Sequence, residues 1–198
     1  VELSEGELQT VSGGADGFTN IVIGAAGTQT GTVTVNDSSS ALVLNNTNLV
    51  INTDGTNGTF VLAEGTALDL SGGANHGVTI NGDGDGTGNT TLGDDILTQG
   101  GTVTIDDAVV LADTAGDTVV IDTRVSAAAG ANITFQTASG GGTIDGTVAG
   151  AQALMIDAGT GGDIVFNGAV GVGTRLGVLA VTNSGNVDFE ADVEVTGV

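Results

Sequence analysis

The segment GDIVFNGAV, from Gly162 to Val170, returns in altered form along the chain. ANITFQTAS begins earlier, at Ala131, NVDFEADV follows from Asn186, and GTVTIDDAVV precedes them all. The apolar letters hold their places while the rest drift. An apolar–polar alternation of period two puts the apolar side chains on one face of a strand. The same alternation recurs at Ile21–Ile23, Val33–Val35, Leu42–Leu44, Leu49–Ile51, Phe60–Leu62, Leu68–Leu70 and Val78–Ile80. Gly, Asn, Asp, Ser and Thr fill the gaps, residues that accept positive φ or bond to their own backbone in turns. No segment sustains an i, i+3, i+4, i+7 apolar stripe, so the chain reads as all-β.

Strands of about four residues, abundant turn glycine and five Phe as the only aromatic residues disfavour a sandwich or barrel, which uses longer strands and tight hairpins. They favour a solenoid, in which small residues stack on their counterparts one coil above. Thr102 aligns with Asn132, and Asn132 aligns in turn with Asp163, at nearly equal intervals. Three strands fit each interval, starting near residues 103, 109 and 119, then 133, 144 and 154, then 164, 170 and 179. The expected fold is a right-handed parallel β-solenoid with about three short strands per coil of roughly 30 residues. Residues 1–198 form one solenoid segment, with less regular coils over 1–98 and regular repeats over 99–198.

Composition limits the partners. Twenty-four acidic residues face two basic ones, Arg124 and Arg175, for a net charge of −22. Such a charge repels phosphate backbones, whose binding rests on Lys and Arg displacing counterions, and it opposes docking on anionic lipid. Nucleic acid is therefore excluded, and no run approaches the roughly 18 apolar residues of a membrane span. Thirty-six glycines and high charge raise the question of disorder, but 39% hydrophobic residues and a mean hydropathy of +0.30 oppose it. Cysteine is absent, so thiols say nothing of compartment. No signal peptide is present, and the first residue is Val; the chain reads as processed, or as part of a longer repeat protein or filament.

LTQGGTVTIDDAVVLADTAGDTVVIDT and the stretch from ANITFQTAS to NVDFEADV resemble the repeats of very large bacterial surface exoproteins of the filamentous-haemagglutinin-like, or beta strand repeat, type. The resemblance covers residues 97–195 well and the first half loosely. It implies a secreted bacterial solenoid that forms stalks, adhesins or matrix fibres at the cell surface, and it carries no catalytic residues to transfer.

Little in the chain suggests chemistry, and a non-enzyme is expected. Polysaccharide lyases built on β-helices use a Lys or Arg base, and glycan grooves use Trp or Tyr. Here Arg124, Arg175 and His76 stand far apart without aromatic company. His76, between Asn75 and Gly77, reads as an exposed turn residue. The most site-like stretch is NGDGDGTGNTTLGDDIL. Calcium takes six to eight oxygens, and Asp83, Asp85, Asn89, Asp94 and Asp95 make this a candidate calcium loop, although the EF-hand opening is missing. Thr-x-Thr occurs at Thr28–Thr30, Thr32–Thr34 and Thr102–Thr104. These are read as outward alternates of strands, too few for a regular threonine ladder.

Both VELSEGELQTV and VDFEADVEVTGV alternate like interior coils. Head-to-tail self-association or flanking repeats are therefore the expected partners. The functional expectation is an extracellular structural or adhesive element, with a calcium-dependent module binding surface glycans as the alternative and a polysaccharide-degrading enzyme behind it.

Overall fold

The computed structural model describes residues 18–36, 41–82, 88–112, 118–127, 129–136 and 143–197. Among the described residues nineteen strands follow one another, three per layer in the first five layers. The first three layers are β1 (Asn20–Ile23), β2 (Thr32–Val35) and β3 (Ala41–Val43); β4 (Asn48–Thr53), β5 (Thr59–Leu62) and β6 (Ala67–Ala74); β7 (Val78–Gly82), β8 (Thr90–Leu92) and β9 (Ile96–Gln99). Next come β10 (Val103–Asp106), β11 (Val109–Leu111) and β12 (Thr118–Asp122), then β13 (Ile133–Gln136), β14 (Ile144–Gly146) and β15 (Ala153–Asp157). The last layers hold β16 (Ile164–Phe166) with β17 (Leu176–Asn183), and β18 (Val187–Phe189) with β19 (Val195–Gly197). In these two layers single bridges at Val170 and Val193 stand in for the middle strand.

Each side of the coil is one parallel sheet. Sheet A orders β1-β4-β7-β10-β13-β16-β18, sheet B β14-β11-β8-β5-β2, and sheet C β19-β17-β15-β12-β9-β6-β3. A parallel neighbour needs a crossover of a dozen or more residues, and here the other two sides of the coil provide it. The fold is a β-solenoid of about 28 residues per turn. The expected sides are the observed ones: β10, β11 and β12 lie under β13, β14 and β15. Val103 pairs with Ile133 and Ile133 with Ile164, the same steps that the aligned phrases show in the sequence.

The first half stacks in the same way, with slightly shorter steps. Asn20 pairs with Asn48, Leu49 with Val78 and Val78 with Val103. Sheet B takes up larger differences, from Thr90↔Val109 to Val109↔Ile144. The corners change length while the strands keep register, because the inward side chains must meet their copies.

Those inward columns are the core. In sheet A they run Leu49/Ile51, Val78/Ile80, Val103/Ile105, Ile133/Phe135 and Ile164/Phe166, all buried. Phe135 stacks on Phe166 at 5.1 Å between ring centroids, and Phe166 on Phe189 at 4.7 Å, with interplanar angles of 5° and 3°. Parallel in-register strands hold identical side chains about 4.8 Å apart, close to the contact distance of stacked rings. The repeated Ile and Phe of the opening phrase are thus fixed by the ladder.

Polar side chains serve the corners. Thr98 Oγ1 donates to the Gly101 carbonyl at 2.6 Å, and Thr123 Oγ1 donates to the Ala131 carbonyl at 2.9 Å. Asp107 is buried where sheet A turns into sheet B, accepting from Thr90 Oγ1 at 2.9 Å and from the Ala108 N–H at 2.8 Å. It fits because residue 82 in the layer below is glycine: a Cβ there would lie 2.1 Å from the Asp107 carboxyl carbon.

Candidate calcium corner and outer faces

The described part of the acidic stretch brackets β8 in the third layer. Asn89 leads into β8, and Asp94 and Asp95 follow it. The extended chain between them covers roughly 13 Å. The structure therefore brings Asp94 and Asp95 together and leaves Asn89 at the opposite end of the strand. Asp83 and Asp85 lie outside the described residues.

Both carboxylates of the Asp94–Asp95 corner are engaged by backbone. Asp94 Oδ1 accepts the Asp95 N–H and Asp95 Oδ1 accepts the Val120 N–H, each at 2.7 Å. The second bond continues sheet C past the start of β9, with a side chain standing in for a carbonyl. Burial pushes the Asp95 carboxyl above its ordinary value; the Val120 N–H pulls it down and the Asp94 charge raises it again. Among the described residues no three His, Cys, Asp or Glu side chains gather in a way that would hold a metal ion.

The other candidates fall apart in space. Arg124 Nε meets Asp157 Oδ2 at 3.3 Å, and Arg175 Nη2 meets Glu194 Oε2 at 2.9 Å, both pairs near the surface. The second pair sits in a shallow cleft of about 430 Å³ with Gly150, Val172, Thr174 and Thr196 on its walls. Asp145 buttresses that corner, accepting the Gly173 and Thr174 N–H groups at 2.9 and 2.8 Å and a hydrogen bond from Thr143 Oγ1. His76 is half-buried rather than exposed, and its Nδ1 is enclosed without a hydrogen bond. The ring lies close over the backbone of its own layer: a Cβ at Gly73 would lie 2.9 Å from the His76 Cδ2.

Of the Thr-x-Thr pairs, Thr32 and Thr34 lie outward on sheet B and Thr104 outward on sheet A with Thr102 just before its strand. Thr28 and Thr30 are not strand residues but belong to the connection that leads into β2. Sheet A nevertheless builds a ladder that a search for Thr-x-Thr misses, because each layer contributes a single threonine. Thr79, Thr104 and Thr134 stand in register, continued by Val50 and Val22 on one side and Val165 on the other. The signal for it lies in the phrases VTI, VTI and ITF. Beside this column, side-chain amides and the Asp163 carboxylate bond one layer to the next. Asn48 Nδ2 donates to Asn20 Oδ1 at 3.1 Å, the Gly77 N–H to Asn48 Oδ1 at 2.8 Å, the Asp163 N–H to Asn132 Oδ1 at 3.0 Å, and Asn186 Nδ2 to Asp163 Oδ1 at 2.9 Å.

Comparison with known proteins finds no matching family model, and no match among curated proteins or solved structures. Among the described residues no helix is long and apolar enough to cross a membrane.

Proposed function

We propose that this chain is a structural element of an extracellular bacterial fibre, stalk, surface layer or matrix, with adhesion as its task. The observation that supports the reading is the continuity of the three parallel sheets. Sheets A and C each run through seven strands from the first described layer to the last, so backbone hydrogen bonds connect every layer to the next along one axis. Such an array lengthens by adding layers, with stability summed over nearest neighbours. The resemblance to filamentous-haemagglutinin-like repeats points the same way. Electron microscopy of the native particle tests it. Filaments or rods built from stacked coils are expected; isolated compact particles under all conditions would overturn the reading.

A further inference from the structure

The geometry points to Asn167–Gly168 as a modification site, where the chain converts an asparagine to a carboxylate without any enzyme; the inference is independent of the fibre reading. Asparagine is chemically labile, and most so before glycine, which puts no side chain beside the attacking nitrogen and lets the backbone turn. The chain holds three such pairs: Asn57–Gly58, Asn81–Gly82 and Asn167–Gly168. In the reaction the backbone nitrogen of the glycine attacks the asparagine Cγ. An N–Cγ bond forms, the Cγ–Nδ2 bond breaks, and ammonia leaves carrying the proton of the glycine N–H. Water then opens the cyclic imide at either of its carbonyls, giving aspartate or isoaspartate.

The fold grades the three pairs. Asn81 lies inside β7, where its Nδ2 donates to Asn52 Oδ1 at 2.8 Å, and Gly82 is buried against Asp107. Asn57 stands in a turn whose Gly58 N–H donates to the Gly55 carbonyl at 2.7 Å. In both pairs a reacting group is held by a hydrogen bond. Asn167 is different: it is exposed just past the end of β16, where sheet A turns toward the Val170 bridge. Its N–H donates to the Phe135 carbonyl at 3.0 Å, which anchors its backbone. Among the described residues neither its side-chain amide nor the Gly168 N–H has a hydrogen-bond partner. Both reacting groups are free at one corner.

The product acts on the layer above. Asn167 and Glu190 follow the stacked pair Phe166 and Phe189, and the Glu190 N–H donates to the Phe166 carbonyl at 2.9 Å. A carboxylate at 167 is therefore one strand spacing, about 4.8 Å, from the Glu190 position, and like charges opposite each other on neighbouring strands destabilise the pairing. Isoaspartate also lengthens the main chain ahead of Val170, which is buried and donates its N–H to the Asp192 carbonyl at 2.9 Å. The conversion loosens the last layer with time.

Peptide mapping during incubation of the folded chain at mildly alkaline pH tests the inference. Trypsin, added after denaturation, cuts at Arg124 and Arg175, so Asn167 falls in fragment 125–175 and Asn57 and Asn81 in fragment 1–124. Fragment 125–175 should convert first and contain isoaspartate. Fragment 1–124 should convert at least about tenfold more slowly, because its two pairs must first break a hydrogen bond. In urea the three pairs should react at similar rates. Gly168→Ala, with circular dichroism like the parent, should slow fragment 125–175 to the pace of 1–124. Asn167→Asp should lower the urea midpoint, and adding Glu190→Gln should restore it. Equal conversion of the two fragments in the folded chain, or an unchanged rate in Gly168→Ala, would overturn the site. A parent-like midpoint in Asn167→Asp would overturn its effect on the stack.

Discussion

Removing Phe166 weakens two interfaces of the stack at once. Its ring is fully buried, with Phe135 5.1 Å away on one side and Phe189 4.7 Å away on the other. Phe166→Ala should cost about 3–5 kcal/mol, the transfer of a buried ring plus the cavity it leaves. Phe189 has one stacking neighbour and is 42% exposed. Phe189→Ala should cost about 1–2 kcal/mol, part of the value of burying a Phe side chain completely. Because stability in a stacked array adds over neighbouring layers, the first loss should clearly exceed the second. Phe166→Asp goes further, placing an unpaired carboxylate among apolar side chains at a cost of several kcal/mol. Against a typical total of about 5–15 kcal/mol, that should unfold the layers around it. Urea denaturation followed by circular dichroism measures all three. Equal costs for the two alanine variants, or a parent-like melt of Phe166→Asp, would show that the ring is not held between layers and that the inward register of β16 is wrong.

Three further outcomes follow from the corners. The folded state raises the Asp95 carboxyl above its ordinary 3.8, so it binds the proton more tightly than the unfolded chain does, and the Asp95 contribution to stability falls as pH rises from that value through the folded pKa. Asp95→Asn keeps an oxygen for the Val120 N–H and should lose this slope, ending at least as stable as the parent at neutral pH; a parent-like pH dependence in denaturation curves would refute it. Gly82→Ala should cost about 1–3 kcal/mol through overpacking against Asp107, and Gly82→Ala/Asp107→Ala should fall short of the summed single losses, whereas strict additivity in the double-mutant cycle would deny the contact. Asn89→Ala should leave any calcium-specific rise in melting temperature, measured against sodium at matched ionic strength, unchanged, because β8 separates Asn89 from Asp94 and Asp95; loss of the rise would place Asn89 in the site after all.

How much of this is legible in the sequence depends on what each residue must satisfy. Val103, Ile133 and Ile164 are readable as one column because each must pack on the next, and the chain between them happens to keep a nearly constant length. The steps Thr90↔Val109 and Val109↔Ile144 are not readable as a period, since corners are free to lengthen once the strands are in register. The candidate calcium stretch looks like one loop because its acids are close in sequence; a strand as short as β8 is enough to divide Asn89 from Asp94 and Asp95. His76 sits between turn-formers, which favours an exposed reading, yet its ring lies close over Gly73 at the end of β6, a contact set by how that corner folds.

The outer ladder has a different physical origin from the core, and this decides where functional information can reside. Inward positions such as Ile80, Ile105 and Phe135 are constrained by the layers above and below, so they report the fold and little else. The intervening Thr79, Thr104 and Thr134 make no demand on the core, and as β-branched residues they suit the strand itself. Asp188, at the same position two layers beyond Thr134, demonstrates that the column tolerates a carboxylate. Six layers without one need no cause outside folding, because Val and Thr are favoured in strands, Asp is disfavoured there, and like charges on neighbouring strands repel. The sheet C column is more permissive, and Asp69, Asp122 and Asp157 recur in it. In a fold that fixes every second residue by stacking, the residues between them are the ones free to record what the stack touches.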